Sequence, residues 1–268
     1  MKRFSKFLAL CALLVPGIAA AQNPRLAEIM DARMRPGWQT DTGTHMAGLH
    51  IRLAGNWITY WRHPGESGIV PRLDWSGSRN VAAARIHWPE PRLFTKSGVA
   101  SIGYGDEIIL PIELTPTDAG LPMELDATLS LGVCDDICIP VELALQLGLN
   151  NSGMPDGMIA TALTQRPRAA RTAGLQAVSC TITPERKGLR LSASMTVPPQ
   201  GAEEFALVEL QGSPIRNRAL PSERAGDTIT GHAYLRPAPG EAIDRSAVRI
   251  SIVSENGVVQ HQGCTFPD

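Results

Sequence analysis

The sequence predicts an all-β chain of two sandwich domains joined by a short helical connector. Three observations carry that expectation. Short runs alternate strictly between apolar and polar residues, the period of a strand with one buried face. The 21 Pro and 25 Gly among 268 residues suit many turns between short strands better than long helices. The alternation lapses over residues 151–173 and then resumes.

The chain opens with an export signal. Lys2 and Arg3 precede an apolar run over residues 7–21 that ends Ala19-Ala20-Ala21. A basic start, a short apolar stretch and a small-residue exit describe a secretory signal peptide, residues 1–21, cleaved after Ala21. The run is too short for a convincing membrane-spanning helix, and no later stretch approaches the roughly 18 apolar residues such a helix needs. Cleavage discards Cys11 and leaves four cysteines in an exported chain, where disulfides persist. A lipid anchor would need a cysteine at the cleavage point, and Gln22 stands there. The net charge of -1 offers no basic surplus, so nucleic acid is not an expected partner.

The first domain is expected over residues 22–150. Residues 22–44 read as a leading segment with a helical turn near Leu26 and Arg33. Strands are expected over 46–53, over the aromatic run 56–61, over 72–75, 81–88 and 107–114. Residues 63–68 form a turn cluster, 93–105 a loop, and 116–122 a turn. That makes seven or eight short strands separated by turns, the sign of a β-sandwich.

The last two strands of this domain carry its chemistry. Met123, Leu125, Ala127, Leu129 and Leu131 alternate with polar residues, and so do Val141, Leu143, Leu145 and Leu147. The two runs form a hairpin with its turn at Asp135-Asp136-Ile137. Cys134 and Cys138 flank that turn. By parity both leave the hairpin on its polar face, because Cys134 falls in step with Ser130 and Cys138 with Glu142. Along one extended strand they would stand about 13 Å apart. Opposed across an antiparallel pair, Cα atoms come within about 4.5 to 5.5 Å, which a disulfide can bridge. A ring this small contributes only roughly 2 kcal/mol in the chain-entropy picture, so the bond suits exchange better than stapling.

Residues 151–173 read as the connector, with Pro155 opening a helix that carries Met158, Ile159, Ala162 and Leu163 and Pro167 ending it. The second domain, residues 174–268, is expected to have strands over 175–182, 189–197, 205–210, 228–235, 248–253 and 258–260. Asn256-Gly257 signals a tight hairpin turn between the last two. Cys180 in its first strand and Cys264 near its end, 84 positions apart, form the expected structural disulfide. Closing a loop of that size is worth roughly 4.5 kcal/mol on the same reasoning.

Other chemistries find less support. His63, beside Pro64, has no neighbouring ligand for a metal. Cys134 and Cys138 could hold copper(I), which favours thiolates, but no Met-rich or His-rich tract accompanies them. No hydrolase, zinc-protease or phosphate-loop motif is present. Neither a cofactor nor a resident metal is expected. Asp135 and Asp136 serve the turn, and their charge beside the sulfurs disfavours the thiolate. A third alternative is a non-catalytic interaction domain with an inert disulfide.

Five co-linear motifs resemble the N-terminal periplasmic domain of the DsbD/ScsB family of thiol:disulfide interchange reductases. They are Trp57-Ile58-Thr59-Tyr60-Trp61-Arg62, Pro64-Gly65-Glu66-Ser67-Gly68, Asp74-Trp75-Ser76-Gly77-Ser78, Ser101-Ile102-Gly103-Tyr104 and Gly132-Val133-Cys134-Asp135-Asp136-Ile137-Cys138-Ile139-Pro140. They span roughly residues 35–150, and residues 151–268 resemble the second β-domain of the ScsB-like branch. The resemblance implies an immunoglobulin-like fold, a periplasmic location and a thiol–disulfide relay through Cys134 and Cys138. It implies a thioredoxin-like or membrane-embedded reductase as electron donor and disulfide-bearing periplasmic proteins as acceptors. It makes Phe94, in Leu93-Phe94-Thr95, the candidate cap over the pair, with Tyr60 and Tyr104 candidate lining residues. The membrane core and the Cys-x-x-Cys thioredoxin-like domain of the family are absent from this chain, so electrons would come from separate proteins. The cysteine spacing is shorter than in the best-known members, which leaves the substrate open.

Overall fold

The computed structural model describes residues 24–66, 68–96, 98–150, 153–213 and 215–265. The signal peptide expected at residues 1–21 lies outside them. Helix α1 (Pro24–Ile29) leads into ten strands: β1 (Met30–Gln39), β2 (His45–Leu53), β3 (Ile58–Gly65), β4 (Arg72–Asp74), β5 (Val81–Ile86), β6 (Arg92–Lys96), β7 (Val99–Gly105), β8 (Glu107–Pro116), β9 (Met123–Cys134) and β10 (Cys138–Leu149). After α2 (Gly157–Thr164) come β11 (Arg168–Ala169), β12 (Ala177–Glu185), β13 (Gly188–Thr196), β14 (Glu204–Leu210), β15 (Arg216–Ala225), β16 (Thr228–Arg236), β17 (Val248–Ser254) and β18 (Gly257–Gln262).

These strands make two immunoglobulin-like sandwiches. In the first, the sheet β1-β2-β8-β5 faces the sheet β10-β9-β3-β7-β6, with β4 pairing β9. In the second, β11-β18-β17-β14 faces β12-β13-β16-β15. Alternation sets the faces. Met123, Leu125, Ala127, Leu129 and Leu131 of β9 are all buried, while Glu124 and Asp126 between them are exposed. They meet Leu49 and Ile51 of β2 and Leu110, Ile112 and Leu114 of β8 across the core. The second core gathers Leu191, Met195, Val208, Ile250 and Ile252.

The two sandwiches are not separated by solvent. Phe205, Leu207, Val253 and Val258 of the second belong to the apolar cluster of the first. Polar contacts frame this junction. The Arg62 guanidinium donates to both Glu209 carboxylate oxygens, at 3.0 and 2.7 Å. His63 Nε2 donates to Asn217 Oδ1 at 2.9 Å. Both residues sit in a bulge: β3 pairs β7 as Tyr60↔Gly103 and next as Gly65↔Ser101, so residues 61–64 oppose Ile102 alone.

Helix α2 begins where Asp156 caps it, accepting from Met158 N at 2.9 Å and Ile159 N at 3.3 Å. Its Ile159 and Ala162 pack on Met46 and Ile109. The helix comes so close to β2 that a Cβ at Gly48 would lie 2.9 Å from Ile159, which is why a residue without one stands there.

Four expectations are corrected. Residues 30–39 form a full strand rather than part of a leading segment, pairing β2 from Met30↔Leu53 onward. Residues 93–105 are not a loop but most of the β6–β7 hairpin, paired from Arg92↔Gly103 to Lys96↔Val99. The turn cluster at 63–68 begins inside β3, which runs to Gly65. Strand β15, which the alternation did not announce, pairs β16 from Arg216↔Arg236 to Ala225↔Thr228 with one shift.

Candidate functional site

The β9–β10 ladder runs from Met123↔Leu149 to Cys134↔Cys138 with no break in register. Asp135 N donates to Ile137 O at 3.0 Å and closes the turn. Cys134 and Cys138 are therefore directly opposed, bonded, and 4.1 Å apart between Cα atoms. On its other side β9 pairs β3, Ile58 opposite Cys134 and Thr59 opposite Val133. Thr59 Oγ1 ties that strand to the Gly132 carbonyl at 2.9 Å. Cys134, held between two strands, is 3 % exposed, whereas Cys138 on the outer strand is exposed.

The parity argument holds along the hairpin, with a qualification at its end. The face that carries Glu124 and Asp126 in solvent is roofed over near the cysteines. Ile69 lies so close to Gly132 that a Cβ there would be 2.8 Å from it. Strands β6 and β7 complete the cover. Tyr60, Leu93, Phe94, Lys96 and Ser101 line a cleft of about 660 Å³ whose floor is Cys134, Asp135 and Cys138. Three exposed apolar side chains lie around it: Ile69, Val99 and Ile137, the last 64 % exposed in the turn itself. A larger hollow of about 730 Å³ beside α2 is lined by Arg35, Asp156 and Glu107. These are already paired, Arg35 with Asp156 and Glu107 with His50 and Arg52, so it offers no comparable chemistry.

One polar group of the cleft touches a sulfur, and another acts on the charge beside the pair. Tyr60 donates its hydroxyl to Cys138 Sγ at 3.5 Å. Burial pushes the Tyr60 phenol above its ordinary range, and a hydrogen bond with Ser101 pulls it partly back. It stays protonated and can donate to a thiolate formed at Cys138. Lys96 Nζ reaches Asp136 at 2.6 Å and Asp135 at 3.2 Å. Its hydrogen bond holds the Asp136 carboxyl below the usual carboxylate range. The negative charge expected beside the thiols is thus partly neutralised.

Of the residues singled out from sequence, the fold brings Cys134, Cys138, Tyr60, Phe94 and Asp135 to one cleft, with Asp136 at its edge. Tyr104 does not join them. It is 4 % exposed in the core, its hydroxyl donates to Pro89 O at 2.9 Å, and burial pushes its phenol well above the ordinary range. His63 lies at the junction with the second sandwich, where burial pushes its pKa down. Cys180 and Cys264 are bonded within the second sandwich, Cα atoms 5.8 Å apart, and Cys180 N donates to Thr265 O at 2.8 Å. Among the described residues no cluster of three or more His, Cys, Asp or Glu side chains suits a metal ion. Sequence reading missed Lys96 and Ser101. Two adjacent aspartates in the cysteine turn called for a countercharge, but nothing local said that it would come from residue 96.

Comparison with known proteins bears on this site. The family model described as "Thiol:disulfide interchange protein DsbD, N-terminal" matches residues 28–149, the stretch that contains the cleft. The crystal structure of the N-terminal periplasmic domain of ScsB from Proteus mirabilis is similar with a TM-score of 0.60. The two share 23 % identity over 88 % of this chain and 92 % of that one. At that identity the likeness is one of fold, and it extends across both sandwiches. No curated protein matches this chain.

Proposed function

Residues 28–149 form a DsbD-type N-terminal domain, and from that premise we propose that this chain is a periplasmic thiol–disulfide interchange protein that works through Cys134 and Cys138. One observation carries the reading: a disulfide between an exposed and a buried cysteine on the floor of a partly roofed cleft. A partner reaches Cys138 first. To load the protein, a donor thiolate attacks Cys138 Sγ. Cys134 Sγ leaves as a thiolate and takes up a proton, and a mixed disulfide stands at Cys138. The donor's second thiol attacks its own sulfur in that bond. The donor departs as a disulfide, and Cys138 leaves as a thiolate beside the Tyr60 hydroxyl. Two electrons and one proton have then entered, and a second proton, taken up by the Cys138 thiolate, completes the dithiol. Unloading runs the same steps in reverse: Cys138 attacks an acceptor disulfide, and Cys134 resolves the mixed disulfide.

In this reading residues 1–21 are the export signal, 22–150 the reactive domain, 151–173 the connector and 174–268 a second domain stapled by Cys180–Cys264. The donor is a thioredoxin-like or membrane-embedded reductase, and the acceptors are periplasmic proteins bearing disulfides. Among the described residues no helix is long and apolar enough to cross a membrane. The test is covalent trapping. Expressed in its own periplasm, Cys134→Ser should accumulate mixed disulfides through Cys138, and Cys138→Ser should accumulate far fewer. Absence of adducts from both variants, together with a Cys134–Cys138 bond as resistant to dithiols as Cys180–Cys264, would overturn the proposal.

A further inference from the structure

Among the described residues, strand β6 is the edge of its sheet, paired on one side with β7 and, within that sheet, with no strand on the other. Its two ends are held differently. At the base, Arg92 pairs with Asp106 at 2.9 Å, and Pro91 and Leu93 face Ser254 and Glu255 of the second sandwich across a shared hollow. At the far end Lys96 reaches over the cleft to the cysteine turn, at 2.6 Å from Asp136 and 3.2 Å from Asp135. Phe94 lies between these ends, on the cleft wall above the disulfide.

We infer that Lys96 with Asp135 and Asp136 is an electrostatic latch that holds β6, and with it Phe94, over Cys134–Cys138, and so sets how fast a thiol reaches the bond. This rests on the exchange reading of that pair. The geometry suits a latch better than a staple. Lys96 is 60 % exposed and Asp136 88 % exposed, so water competes for both, and the closed state is only mildly preferred. A latch of that strength keeps small oxidants and stray thiols out part of the time, yet yields to a docking partner. Lys96 is in this sense a positioning residue. It acts through Phe94 and need not touch the reacting sulfurs.

The same charges could act in another way, by their field on an incoming thiolate, and the two readings differ in sign. Dithiothreitol attacks as an anion. If only the field matters, Lys96→Met slows the attack and Asp135→Asn/Asp136→Asn speeds it. If the latch matters, both speed it. The oxidised mature chain is mixed with excess dithiothreitol at low ionic strength, and opening of Cys134–Cys138 is followed by alkylation and peptide mass. We expect about two- to fivefold acceleration from each change, the range open to an exposed ion pair, and a wild-type rate for Lys96→Arg. In 1 M salt, where the screening length falls to about 3 Å, the wild type should rise to meet the variants. Thermal midpoints serve as the folding control. Opposite signs for the Lys and Asp variants, or equal rates in all of them, would overturn the latch and leave the exchange reading standing. A bond that opens in none of the proteins, wild type included, would instead count against the exchange reading.

Discussion

Replacing Glu209 by Gln removes one charge from the junction between the sandwiches and leaves the shape nearly intact. The wild-type carboxylate takes two parallel hydrogen bonds from Arg62, at 3.0 and 2.7 Å, and the side chains are only 16 % and 12 % exposed. The Arg62 guanidinium also lies 3.5 Å from the centre of the Trp61 ring, which itself is fully buried. An amide keeps one acceptor but turns its NH₂ group toward a guanidinium that can only donate. Arg62 then stays desolvated with no counter-ion, a change that costs about 3 to 5 kcal/mol. That is a large share of the roughly 5 to 15 kcal/mol by which folded proteins are stable. At about 2 to 4 °C per kcal/mol for a chain of this size, the midpoint should fall by roughly 6 to 20 °C. Urea unfolding followed by fluorescence and by far-ultraviolet dichroism measures both the loss and its cooperativity. The double variant Arg62→Met/Glu209→Leu removes both charges and should recover most of the stability, since apolar replacements of buried pairs are often neutral. A loss below about 1 kcal/mol for Glu209→Gln would place the pair with ordinary surface contacts and refute the argument.

The remaining predictions concern the disulfides, the cap and a histidine. Cys180→Ala/Cys264→Ala should lower the unfolding free energy by about 2 to 5 kcal/mol, and Cys134→Ala/Cys138→Ala by less, because the loops they close differ so much in length. Mild dithiol treatment should open Cys134–Cys138 and spare Cys180–Cys264, as mapped by alkylation; equal resistance would count against an exchange role. Phe94→Ala should speed alkylation of the reduced pair by iodoacetamide, and an unchanged rate would remove Phe94 from the cap. His63 is held below its ordinary value near 6.5 by burial, so between that value and its folded one the unfolded chain binds more protons. Stability should therefore fall as pH drops through that window, and His63→Gln should flatten the slope by the share this one ring contributes.

Alternation made the hairpin legible because it is a local signal: each residue of β9 and β10 declares its face, and the turn residues declare the reversal. The same signal was available for β1, where Met30, Ala32 and Met34 alternate with Asp31, Arg33 and Arg35, but the charged side looked like a leading segment. Strands β6 and β7 announced themselves poorly. Gly98 lies between them, Gly103 and Gly105 fall within β7, and β6 sits at an edge where only one neighbour demands pairing. The bulge at residues 61–64 was illegible for another reason. It meets Glu209 and Asn217, 147 and 154 positions on from Arg62 and His63, and no window on β3 contains them. Tyr104 and Tyr60 show the limit within the site. Both sit on neighbouring strands, paired through Thr59↔Tyr104 and Tyr60↔Gly103. Being one residue out of step sends one hydroxyl to a core carbonyl and the other to a sulfur.

The unbroken ladder beneath the two cysteines bears on timing as well as on shape. Twelve residue pairs, from Met123↔Leu149 up to Cys134↔Cys138, fix where the sulfurs stand, and none of that backbone pairing depends on the bond between them. On the exchange reading, that ladder should keep the two thiols facing each other once the bond is opened. Each then meets the other at an effective concentration far above that of any partner in solution. On the exchange reading, an adduct at Cys138 has its resolving thiol already aimed at it, and its half-life is set by that local step rather than by a search. A wild-type chain harvested from cells should accordingly carry almost no covalent partner even while turning over rapidly.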